Sequence, residues 1–114
     1  MRKTDKKIDN QLRNLLTDVC DFATDSVDGF EWLTHRVNYS KFPESLHIVC
    51  IFDTYKNLGD YKLLDDKLLA PLIQAKLNTM GIKFKDISAH VSYDCEEYCL
   101  KDHDGNWAKR LGRH

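Results

Sequence analysis

The sequence has almost no excess of charge of either sign: 17 Lys and Arg stand against 18 Asp and Glu, a formal net charge of −1. This balance removes the global basic field that marks many nucleic-acid binders and leaves only local patches to consider. No apolar run approaches the roughly 18 residues of a membrane span. The first residues, from Met1 to Lys7, are polar and charged and give way to an amphipathic pattern rather than to an apolar leader core. The expected location is therefore cytoplasmic, with no membrane partner. Gly29, Gly59 and Gly81 stand alone, without the Gly-x-x-Gly pair that clamps an RNA backbone. There is no internal repeat and no low-complexity tract.

What is present is ordinary globular composition: 114 residues, 42% hydrophobic and 31% charged. That length suits a single domain spanning 1–114 with one core. The expectation is a loose segment at 1–4 and a tail, 103–114, that packs back. Cys20 and Cys50 fall at apolar positions, where a free thiol acts as a small hydrophobe. With no export signal, reduced thiols are expected at all four cysteines.

The run from Ser45 to Asp53 organises the rest. Leu46, Ile48, Cys50 and Phe52 alternate with His47, Val49 and Ile51. Apolar character on both faces predicts a central strand covered on both sides. Ahead of it, Ile8, Leu12, Leu15, Leu16, Val19, Cys20 and Ala23 form one stripe and predict a helix over 5–23, with Thr4 or Asp5 as its cap. Phe30 to Tyr39 reads as an irregular strand. It is joined to the central one through a loop ending at Pro43, and so short a connection implies antiparallel pairing. Residues 54–62 read as a surface loop. A second helix is predicted over 64–80, with Asp65 and Asp66 at its positive end, and Gly81 closes it. Pro71 either kinks that helix or marks the start of its long part. Ile87 to Tyr93 alternates and predicts a third strand. Asp94 to Glu97 has capping-box spacing and predicts a short helix over 95–102. Trp107 and Leu111 are placed to pack the tail onto the domain.

The resulting order is α-β-β-α-β-α, an α+β fold. It forms a three-stranded sheet with both long helices on one face, and a right-handed parallel crossover joins the second and third strands. This order also resembles the KH-like arrangement.

Several side-chain groups suggest chemistry. Cys95, Cys99 and His103 recur every four residues, with His90 near in sequence, and thiolate with imidazole is a zinc ligand set. Only one such cluster exists, without a second pair, so neither a metal nor any other cofactor is assigned. Asp102 to Asn106 has the acidic look of a calcium loop but puts Trp107 and Arg113 where Gly and Glu are required. His35, His47 and His90 have no partner legible in sequence for base catalysis. Cys95 at a helix start lacks a histidine partner as well. Phe30 and Trp32 on an open sheet face, with Tyr55 and Tyr61 in the following loop, form a candidate partner surface. Lys6 and Lys7, with Arg2 and Lys3, mirror a C-terminal set of Lys101, Lys109, Arg110, Arg113 and His114; together these are a candidate phosphate contact.

The stretch Trp32 to Pro43, followed by Leu46 to Thr54, resembles a group of short gamma-proteobacterial proteins of uncharacterised function. Many of them carry the label Fis-family transcriptional regulator. The match takes in Ile87 to Tyr93 and Trp107, and so spans most of the chain. The resemblance implies a regulator with a nucleic-acid partner. Fis-type proteins share a basic C-terminal helix-turn-helix, whereas this end reads as a strand, an acidic capping box and one short helix, so no site residue transfers. Three expectations follow: a non-enzymatic binding or regulatory module, a nucleic-acid binder acting through the terminal basic clusters, and a small thiol- or zinc-dependent protein. The free edge of a three-stranded sheet also leaves room for a symmetric homodimer.

Overall fold

The computed structural model describes residues 2–65 and 67–112. The first helix, α1 (Lys3–Ser26), is longer than its stripe predicts and has no side-chain cap, since Arg2 occupies the capping position. Leu12, Leu15, Leu16, Val19 and Ala23 are its buried residues, as the periodicity requires. Gly29, at φ +80°, turns the chain into β1 (Phe30–Arg36). A short 3-10 turn (Tyr39–Lys41) and a cis Phe42–Pro43 peptide lead to β2 (His47–Phe52).

Residues 54–62 are not a loop. They form α2 (Tyr55–Lys62), capped by Thr54, whose hydroxyl accepts from the Asn57 N–H at 3.0 Å. Its buried residues are Leu58 and Tyr61, one helical turn apart and both in the core. The third helix, α3 (Leu69–Asn78), is shorter than predicted and starts at Leu69, so Pro71 lies in its first turn, where no intrahelical hydrogen bond is lost. Of the two acidic residues proposed for its positive end, Asp65 precedes the helix and Asp66 lies outside the described residues. Among the described residues no side chain caps α3. Instead the Tyr61 hydroxyl accepts from the Leu69 N–H at 3.0 Å, which satisfies one orphan donor and ties α2 to α3. Gly81, at φ +75°, follows the helix as expected.

The third strand starts later than its alternation suggests. Ile87–His90 is a 3-10 turn, initiated by the Asp86 carboxylate on the Ser88 N–H, and β3 is Val91–Cys95. Then come α4 (Glu96–His103) and α5 (Trp107–Leu111). The second of these was not predicted; the Asn106 side chain caps it by accepting from the Lys109 N–H at 3.0 Å.

The sheet order is β1-β2-β3, with β1 and β2 antiparallel and β2 and β3 parallel. A bulge interrupts β1 between Phe30 and Trp32. One face carries the main core, where Ile48, Cys50 and Phe52 meet Leu12, Leu16 and Val19 of α1 and Leu69, Ile73 and Leu77 of α3. Both long helices thus cover one face. The other face is covered too: Val49 and Ile51 are buried there, outside that core, with Cys99 of α4 and beside the Trp32–Trp107 pair. Burial of such side chains is worth about 1.5–3 kcal/mol each, which is why a strand apolar on both faces draws a layer onto each.

Candidate functional site

The sequence-predicted aromatic surface does not assemble. Phe30 is 5% exposed and packs edge-on against Phe52 at 6.2 Å. The bulge puts Trp32 on the opposite face, where its indole N–H donates to Glu96 at 2.6 Å and its ring meets Trp107 at 5.2 Å. Tyr61 is buried. Tyr55 alone of the four is exposed, stacked on Tyr98. Lys6 and Lys7 are exposed on α1. Arg110 is spent internally: it grips Asp94 through two hydrogen bonds, of 2.6 and 3.0 Å, and reaches Asp102 at 3.2 Å. Arg113 and His114 lie outside the described residues.

The thiol and histidine candidates are likewise separated. Cys95 joins the main core, while Cys99 is buried outside it. Burial pushes both thiols up, and that of Cys50 to about 12, so all three are protonated at neutral pH. The His103 ring faces Arg110. Among the described residues no group of three His, Cys, Asp or Glu is placed to hold a metal ion. His90 donates to the Leu46 carbonyl at 2.8 Å and stacks on Phe84; His47 bonds Ser92 at 2.9 Å, and burial, Arg36 and His90 lower its pKa. Both rings hold loops and strands in place.

A broad concave feature lies elsewhere. It is an open groove of about 1090 Å³ between α1 and β1. Leu16, Cys20, Leu33 and Val37 give it an apolar floor, and Arg13, Thr17 and Asp21 form its helical lip. At one end stands a polar cluster. The Tyr39 hydroxyl donates to Asp9 at 2.7 Å, Arg13 pairs with Asp9 at 2.9 Å, and His35 lies 3.5 Å from the same carboxylate. The Tyr39 bond, with Arg13 and His35, outweighs burial and lowers the Asp9 pKa. Burial, then Asp9, raises Tyr39 to about 12, so it remains a donor. These groups satisfy one another and brace the 3-10 turn against α1.

Beside this groove β1 is an edge strand, since among the described residues β2 is its only neighbour in the sheet. Its outward backbone groups from Trp32 to Arg36 have no partner among the described residues. The groove residues Asp9, Arg13, Asp21, Arg36 and Tyr39 were missed by sequence reasoning. The one sequence signal that bore on them was the expectation of a free sheet edge. No helix among the described residues is long and apolar enough to cross a membrane. No family model, no curated protein and no solved structure matches the chain.

Proposed function

We propose that this protein is a non-enzymatic binding or regulatory module that takes an extended polypeptide segment onto the free edge of β1. The observation that carries this reading is the open groove running beside an unpaired strand edge. Strand addition draws affinity from main-chain hydrogen bonds and specificity from pockets for alternate side chains. Leu33 and Val37 offer an apolar seat, and the unspent donors of Arg13 and Arg36 offer charge. The bulge at Glu31 limits the regular edge to Trp32–Arg36, enough for a short ladder. The Asp9, His35 and Tyr39 cluster supports binding rather than chemistry, because its hydroxyl and carboxylate are already committed to each other. Four free cysteines suit a reducing, cytoplasmic setting.

The test is site-specific photo-cross-linking in the cells that make the protein. A benzophenone residue replaces exposed Thr17 at the groove, or exposed Ala75 on α3 as a control. The expected product is a polypeptide adduct from position 17 and none from 75. Equal labelling from both positions sinks the reading.

One observation favours a second reading, nucleic-acid binding. Asp9, on the helix that carries Lys6 and Lys7, and Gly112, three residues after exposed Lys109, line the same groove. That reading predicts binding that weakens steeply with salt and on Lys6→Ala and Lys7→Ala substitution, measured by fluorescence anisotropy on random-sequence duplex.

A further inference from the structure

The groove's two walls carry a symmetry that a binding site for an unrelated peptide has no reason to possess. On α1, Arg13, Thr17 and Asp21 are all exposed and all line the groove. Their four-residue spacing sets them in one row along the helix. Opposite charges stand at equal distance on either side of Thr17. A two-fold axis passing Thr17 would therefore set Arg13 of one copy against Asp21 of the other, and the reverse. The Asp21 side chain has no hydrogen bond or ion pair within its own chain among the described residues. Arg13 pairs with Asp9 through its Nε at 2.9 Å, and its side chain is otherwise largely open to solvent.

The strand wall has the same property. The regular part of β1 runs from Trp32 to Arg36 and is centred on Thr34. Antiparallel self-pairing about Thr34 would set Thr34 against Thr34, Leu33 against His35, and Trp32 against Arg36. Thr–Thr pairs and a guanidinium beside an indole are among the favourable cross-strand combinations. Parity is preserved as well: Leu33 and His35 face α1, paired in register with Cys50 and Ile48 of the main core, while Trp32, Thr34 and Arg36 share the other face. Thr17 and Thr34 both line the groove, and the pairing proposed below puts a single axis past both.

We propose that the occupant of this groove is a second copy of the chain, its β1 joined antiparallel to the first in a continuous six-stranded sheet, with the two α1 helices flanking the axis on one face. This rests on the strand-addition reading and names its partner. Such a contact is isologous: each copy gives and receives the same surface, and the assembly closes at two.

Sedimentation equilibrium and native mass spectrometry of the full chain test it, on wild type, Asp21→Arg, Arg13→Glu and an equimolar mixture of the two variants. Both substitutions sit at exposed helix positions, and circular dichroism checks that each variant folds. Wild type should be a dimer. Each variant alone sets like charges across the axis and should raise the dissociation constant about tenfold or more. The mixture should form a one-to-one heterodimer with affinity restored, because one chain then offers two cations and the other two anions. A wild-type monomer at every concentration overturns the proposal. So does a dimer whose dissociation constant is the same in both variants and the mixture, since its interface lies elsewhere. If self-association fails while Thr17 still cross-links to a different polypeptide, strand addition stands without the second copy; if that cross-link fails too, both readings fall.

Discussion

A single carboxylate oxygen, Oε1 of Glu96, accepts from both tryptophan indoles, at 2.6 Å from Trp32 and 3.1 Å from Trp107. Glu96→Ala leaves two partly buried N–H groups without that acceptor, each costing about 1–3 kcal/mol if unmade. The expected result is a loss of at least about 1 kcal/mol in urea unfolding, with Trp emission shifted to longer wavelength. Glu96→Gln keeps an acceptor and should lose less. Gly29 is constrained differently. Its φ is +80°, and an added Cβ would come within 2.5 Å of the Asn57 Cβ and 2.7 Å of Asp53 Oδ1. Gly29→Ala should therefore lower the melting temperature by several degrees, since a strained φ alone costs about 1 kcal/mol or more. The same corner sets an acid response. The Asn57 amide, then the Thr54 N–H, lowers the Asp53 pKa below its ordinary 3.8 against the effect of burial. A lowered folded-state pKa gives stability that is complete above about 3.8 and is lost as pH falls through the folded value. Asn57→Ala should thus flatten the fall in urea midpoint as pH drops below about 3.8.

At the scale of elements, α4 and α5 act as a lid over the second sheet face, and Arg110 is its clasp. It holds Asp94 of β3 through two hydrogen bonds and Asp102 of α4 through a third, while Arg36 of β1 donates to the Leu111 carbonyl at 3.1 Å. Lysine cannot reproduce this fork. Arg110→Lys should cost about 1–3 kcal/mol, and amide hydrogen exchange should quicken across 96–111 while α1 and α3 keep their protection. The capping-box spacing from Asp94 announced α4, although Cys95 holds its capping position without a side-chain bond and Asp94 accepts from the Cys95 N–H instead; α5 has five residues, too few for a period to show. The same limit hid α2, whose inward signal is only Leu58 and Tyr61. In β3 the alternation from Ile87 was real, yet Asp86 bonding the Ser88 N–H turned its first half into a 3-10 turn. Such local side-chain bonds compete with a ladder and leave no trace in hydropathy.

For the whole molecule, the order of the strands was legible because β2 is apolar on both faces and must be central, and because the segment from 53 to 87 is long enough for a parallel crossover. The groove was not legible. It is a space between α1 and β1, and the Tyr39–Asp9 bond at its end joins residues 30 apart in sequence. What a sheet with an open β1 edge does in solution can be read from its melting. If the folded chain pairs with a second copy and the unfolded chain does not, mass action links stability to concentration. A hundredfold rise in concentration should then add on the order of 1 kcal/mol per chain, and a few degrees to the melting temperature. Asp21→Arg, which weakens pairing but touches no partner within its own chain, should melt at a temperature nearly independent of concentration. Calorimetry at two concentrations of each protein makes the comparison. A wild-type melting temperature that stays constant means that the sheet ends at β1 in solution and that the edge waits for a different strand.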